Sequence, residues 1–191
     1  MTYATLKTDI AAWKHRSDLT AVIPSFVAMA ETEIFKVSRP ALRVREMETE
    51  ADLTVTGLVA TIPTDYLEAR YIKQDNAGQR TLFYRPPEDW TQDHSGYFTV
   101  VGDEIRLPTG FTADLKIVYY AQPAALSADG DTNSVLEAYY QAYLSAALKF
   151  AHIYAKDMEG AQVHASALSQ FITDANAANR NVIGPLSVRS A

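Results

Sequence analysis

The hydrophobic period of this chain changes twice, and that double change limits what it can fold into. In the first forty residues apolar side chains recur every three or four positions. Through the middle they alternate, and after Pro123 the helical spacing returns. Leu6, Ile10 and Trp13 predict a first helix with Thr5 as its cap, broken at Ser17-Asp18. A second helix is predicted over about 20–37, with Ile23, Phe26, Val27, Ala30 and Ile34 on one face. Pro24 falls in its first turn, where a missing N–H costs nothing, and Pro40 stops it.

Residues 47–120 read as short strands at 53–56, 59–62, 66–72, 81–84, 97–101, 104–107 and 115–120. Turn residues separate them: Gly57, Pro63-Thr64-Asp65, Asn76-Ala77-Gly78, Gly102-Asp103 and Pro108-Thr109-Gly110. This spacing predicts a small antiparallel sandwich or barrel rather than parallel βαβ units. Residues 124–134 form a connection, and an alanine-rich helix is predicted over 135–155, carrying Val135, Tyr139, Tyr143, Ala146, Ala147, Phe150 and Tyr154. A last helix covers 159–178, with Val163, Ala167, Leu168, Phe171 and Ile172 inward and Asn179-Arg180-Asn181 at its end. The expected fold is α+β. Residues 1–46 and 124–179 form one helical bundle, 47–123 is an inserted small antiparallel β module, and 180–191 is an extended C-terminal arm.

With 191 residues the chain suits one compact unit or a core with an insert, and 48% hydrophobic residues exclude bulk disorder. Having no cysteine, it has no disulfide, thiolate nucleophile or Cys-ligated metal. No stretch approaches the roughly 18 apolar residues of a membrane helix. Met1-Thr2-Tyr3-Ala4 does not begin a secretory signal pattern. The net charge is −6, and it is unevenly distributed. Residues 1–46 carry seven basic and five acidic groups, 47–120 six and twelve, and 121–191 four and six. An acidic middle argues against a protein that grips nucleic acid over its whole surface.

The usual catalytic patterns, G-x-S-x-G, Walker A, H-E-x-x-H and the EF-hand loop, do not occur. His15, His94, His152 and His164 form no close ligand pair, although Asp157 and Glu159 lie between the last two. Asp89, Asp93 and His94 would make a small polar site only if they converged, and Pro86-Pro87-Glu88-Asp89-Trp90 reads as a loop. Arg43 and Arg45, beside Glu46 and Glu48, suit ion pairs within or between subunits better than a phosphate contact. No enzymatic activity, cofactor or metal is expected. Eleven tyrosines is a high number. Tyr139, Tyr140 and Tyr143 cannot all face one core, because neighbours on a helix diverge by about 100°. One of them faces a partner subunit, or the core is wide.

Several stretches resemble the adaptor, or head-to-tail connector, proteins of short-tailed phages. The opening Tyr3-Ala4-Thr5-Leu6-Lys7-Thr8-Asp9-Ile10-Ala11-Ala12-Trp13 is similar to that family's first helix. The run from Ile23 through Ala30-Glu31-Thr32-Glu33-Ile34 is similar to its second. Leu42-Arg43-Val44-Arg45-Glu46-Met47-Glu48 resembles its link from helix to sheet. Ile62-Pro63-Thr64-Asp65-Tyr66-Leu67-Glu68 and Tyr119-Tyr120-Ala121-Gln122-Pro123-Ala124-Ala125-Leu126-Ser127 resemble two later family stretches, in the expected order. Ser38-Arg39-Pro40-Ala41 departs from the commoner pattern.

The resemblance implies structural work. The chain would be one subunit of a ring of about twelve, joining the capsid portal to the tail nozzle in the virion neck. DNA would pass through as cargo, without a membrane partner, and assembly would take place in the host cytoplasm. The arm would make the portal contact, through Asn181, Val182, Ile183, Leu186, Val188 and Arg189. For the contact between subunits, basic Arg39, Arg43 and Arg45 stand against the acidic middle, with Tyr140 as a buried anchor. The alternative is a carbohydrate- or peptide-binding β module on a helical scaffold, with Trp90, Tyr97 and Phe98 as its platform.

Overall fold

The structure, a computed structural model, describes residues 1–14 and 17–182. It is a mixed α+β fold of two compact units. The helical unit takes residues 1–47 and those from 123 onward, and the β unit takes Glu48–Gln122.

The helical unit contains α1 (Tyr3–Lys14), α2 (Ile23–Thr32), α3 (Ser134–Ala138), α4 (Tyr140–Tyr154) and α5 (Met158–Val182). α2 continues as a π-helical turn over Glu33–Val37. α4 is the centre, packing against α1, α2 and α5. It can do so because Ala142, Ala146, Ala147 and Ala151 are all fully buried, and small side chains let three helices approach one backbone. Tyr143 fills the remaining space among them. Its ring lies edge-on to Phe35 and its hydroxyl accepts a hydrogen bond from Asn133 Nδ2 at 3.0 Å. Burial raises the Tyr143 pKa. Asn133 also caps α3, its Oδ1 accepting the Leu136 N–H.

Several helix details differ from expectation. The cap of α1 is Thr2, whose hydroxyl accepts the Thr5 N–H, so the helix begins before Thr5. The free amides of Tyr3 and Ala4 donate to the carbonyls of Asp131 and Asp129, so a loop from the far half of the sequence completes the start of α1. The buried stripe of α1 is Tyr3, Leu6 and Ile10, while Trp13 is 61% exposed. The expected 135–155 helix is broken at Tyr139 (φ −131°, ψ 43°), which rotates the side chains of α4 relative to those of α3. On α5, Ala161 rather than Val163 faces inward, with Leu168 and Ile172. The expected α2 face is buried throughout.

The β unit is one seven-stranded sheet. Its strands are β1 (Glu48–Leu53), β2 (Val59–Thr61), β3 (Tyr66–Asp75), β4 (Thr81–Tyr84), β5 (Tyr97–Val101), β6 (Glu104–Arg106) and β7 (Asp114–Ala121). The order is β1-β7-β3-β4-β5-β6-β2. β7 alternates cleanly, with Leu115, Ile117 and Tyr119 in the core beside Ile72, Leu82, Phe98, Ile105 and Leu107. Lys116 points the other way, to Glu50 and Asp52 of β1. The Arg70–Glu48 pair at 2.6 Å adds a cross-sheet tie. Gly102 (φ +65°) supplies the left-handed turn of the β5–β6 hairpin.

Two strand expectations need correction. The strand expected at 53–56 is β1 at Glu48–Leu53, a polar stretch made into a strand by pairing with β7 and by Lys116. The sheet is not wholly antiparallel, because Phe83↔Tyr97 and Tyr84↔Phe98 pair in parallel. The intervening 85–96 segment is long enough to carry the chain back to that direction.

Ile117→Ala, at a fully buried position, should cost about 2–5 kcal/mol, read as a loss in denaturant midpoint followed by Trp90 fluorescence. A variant within about 0.5 kcal/mol of the parent would contradict the placement of β7 in the core.

Candidate functional site

The residues expected to matter for assembly cluster on the segment that leads out of α2. Leu42 and Val44 are fully buried on it, so the alternate positions Ala41, Arg43 and Arg45 face away from that apolar contact. The backbone is held by two asparagines of α5. Asn176 Oδ1 accepts the Arg43 N–H at 2.8 Å and its Nδ2 donates to the Ala41 carbonyl at 2.9 Å. Asn179 Oδ1 accepts the Arg45 N–H at 2.9 Å, and its Nδ2 donates to the Tyr139 hydroxyl. Tyr139 donates in turn to Glu46 Oε2 at 3.0 Å, and Ser134 Oγ donates to the Glu46 carbonyl. An extended segment that has no sheet partner thus has its amides satisfied by helix side chains. The sequence reading missed Asn176 and Asn179. The available signal was two asparagines three apart within a helix, where the residue is a poor helix former.

The three arginines have different surroundings. Arg39 is exposed and its guanidinium donates to the carbonyls of Lys36, Val37 and Ser38, closing the end of the α2 extension. Arg43 is half-buried and donates to the Phe35 and Leu42 carbonyls. Arg45 is exposed. Glu46 and Glu48 are engaged elsewhere, with Tyr139 and Arg70. Tyr140 donates to Asp9 of α1 within the same unit, which together with burial raises its pKa. Tyr139, Tyr140 and Tyr143 therefore each have an intramolecular partner.

The arm begins later than expected. Asn181 and Val182 belong to the last turn of α5, because the helix continues past Asn179. Ile183, Leu186, Val188 and Arg189 lie outside the described residues, as does His15.

The catalytic and ligand-binding alternatives do not converge. Asp89 and Asp93 are exposed on the 85–96 loop, and His94 accepts the Thr91 N–H and faces Arg85. Trp90, Tyr97 and Phe98 do not form one platform. Phe98 is a core residue, and its neighbour Tyr97 points to the opposite face under Arg85, 4.6 Å from its ring centroid. His152 and His164 do meet, with ring centroids 5.0 Å apart and Asp157 beside His152. Among the described residues no group of three or more His, Asp or Glu is placed to hold a metal ion.

The β unit also contains a cleft of about 590 Å³. The β3–β4 ladder has only two residue pairs, Ile72↔Leu82 and Lys73↔Thr81, so the strands part beyond them. Ile72, Leu82 and Phe98 lie deep, and Tyr71, Phe83 and Tyr84 are exposed around the opening. A strand edge paired on one side offers backbone donors and acceptors to another chain.

No helix among the described residues is long and apolar enough to cross a membrane. No curated protein matches the chain. A family model described as "SU10 adaptor protein" matches residues 1–189, a span that takes in both units. On that match, the chain belongs to the SU10 adaptor protein family.

Proposed function

We propose that this chain is a structural subunit of a phage adaptor ring of about twelve copies, joining the portal to the tail nozzle around the DNA channel. The observation that carries the reading is the family match over residues 1–189. The arrangement of charge supports it. The whole net charge of −6 falls within the β unit, while the helical unit is balanced. A closed ring needs two different complementary faces on each subunit. The exposed Arg39 and Arg45 offer one positive face and the acidic β unit offers a negative one. Such pairing sets orientation and register more than affinity. An acidic channel wall would also avoid the phosphate contacts that slow a passing polymer. The C-terminal residues 183–191, with Asn181 and Val182 at their root, are the proposed portal contact, and the neck of the virion is the proposed location.

Arg39→Glu with Arg45→Glu tests the charge-register part. Ring yield in the presence of purified portal should fall at least tenfold, because two attractive contacts per interface become repulsive. The free subunit should stay folded, with a modest fall in melting temperature from losing the Arg39 contacts that close the α2 extension and none from the exposed Arg45. Rings at parental yield would refute this placement of the interface. Arg43→Glu is the contrasting variant: it should lower the melting temperature of the free subunit, because it removes a half-buried donor from the Phe35 and Leu42 carbonyls.

A further inference from the structure

Among the described residues, Trp13 is the largest exposed apolar side chain of the helical unit. It stands on the last turn of α1, edge-on to His164 of α5 with ring centroids 6.3 Å apart. An indole carries a large apolar surface and one N–H donor, which is why tryptophan is frequent among the side chains that anchor protein interfaces.

The same unit holds a groove of about 370 Å³ between α2 and α4, lined by Ala28, Met29, Thr32, Glu33, Val37 and Phe150. Met29 is exposed, as is Val37 at the end of the π-helical turn. That volume is at the lower end of the roughly 300–1,000 Å³ of ligand pockets, so it suits one large side chain rather than a folded element. Its one charged group is already paired, because Lys149 Nζ donates to Glu33 Oε1 at 2.9 Å. Covering the groove therefore strands no lone charge. A carboxylate accepts more than one hydrogen bond, so Glu33 can also take a single N–H. A flat apolar ring with one donor matches this lining.

Two helices place the groove and the indole on different sides of the unit. On α4, Phe150 lines the groove, while His152, about 200° further round, has its Nδ1 3.1 Å from Lys14 Nζ beside Trp13. On α5, His164 meets Trp13, while Ala165 and Ser169, about 100° and 140° away, border the continuation of the groove at Val37 and Arg39. The indole cannot reach the groove of its own unit. A knob on one side and a matching recess on another are what a heterologous contact requires. We propose that Trp13 of each subunit inserts into the α2–α4 groove of the next copy of this chain. The inference rests on the ring reading above and names the side chain that anchors its subunit contact.

The chain has no cysteine, so introduced thiols report the contact directly. Ala12 is an exposed neighbour of Trp13, and Ala28 is exposed on the groove wall. Rings of Ala12→Cys with Ala28→Cys, assembled on portal alkylated beforehand, are treated with a short bismaleimide. A denaturing gel should show a ladder of covalent multimers, and each single variant should run as monomer. Trp13→Ala should lower ring yield at least tenfold while the free subunit stays folded, since the indole is exposed. Rings of normal mass without a ladder, or Trp13→Ala rings at parental yield, overturn the inference and leave the ring reading standing. A ladder from either single variant shows like faces meeting and overturns it too. A parental chain that forms no ring on portal overturns both.

Discussion

The helical unit has no core until two distant pieces of chain meet. Its buried centre is α4, and with only α5 beside it one side of α4 stays uncovered until α1 and α2 arrive from the other end of the sequence. Apolar contact with the alanine face supplies most of the attraction. Register comes from polar ties that each join the two pieces. The loop carbonyls of Asp129 and Asp131 take the first amides of α1, Tyr140 reaches Asp9, Lys149 reaches Glu33, and Asn176 and Asn179 hold the 41–45 segment. Asparagine suits this last task, because one amide side chain both donates and accepts and so satisfies an N–H and a C=O of a passing extended strand.

This arrangement explains how a β unit can be inserted without spoiling the bundle. The chain leaves the helical unit at Met47 and returns at Pro123, and the closure entropy of such a loop grows only slowly with its length. The cost appears in order of formation instead, since contacts this far apart in sequence close late. The β unit has its own core, to which β7 contributes Leu115, Ile117 and Tyr119 while pairing with β1 on one side and β3 on the other.

Much of this was legible in the residues. The helical period identified the buried face of α2, and alternation with turn residues located strands β2 through β7 to within a few residues. The failures have physical causes. β1 is too polar to read as a strand, and it becomes one because β7 offers a ladder and Lys116 offsets its carboxylates. Tyr139 interrupts a smooth helical pattern because its hydroxyl is engaged by Glu46 and Asn179, both remote in sequence. Trp13 and Val163 fit an apolar stripe by spacing and yet stand in solvent. The asparagine pair was invisible to a search for catalytic or ligating residues, since its work is on backbone amides. The basic residues Arg39, Arg43 and Arg45 were found as a cluster, and only the geometry separates the half-buried Arg43 from its two exposed neighbours.

The central claim is that this chain works as one member of a closed ring around a channel. The most direct test is the mass of the complex formed when the purified chain is added to purified portal, read by native mass spectrometry. The account predicts one discrete species carrying about twelve copies of the chain per portal. A chain that stays monomeric in the presence of portal, or that adds in an open-ended series of masses, would contradict it.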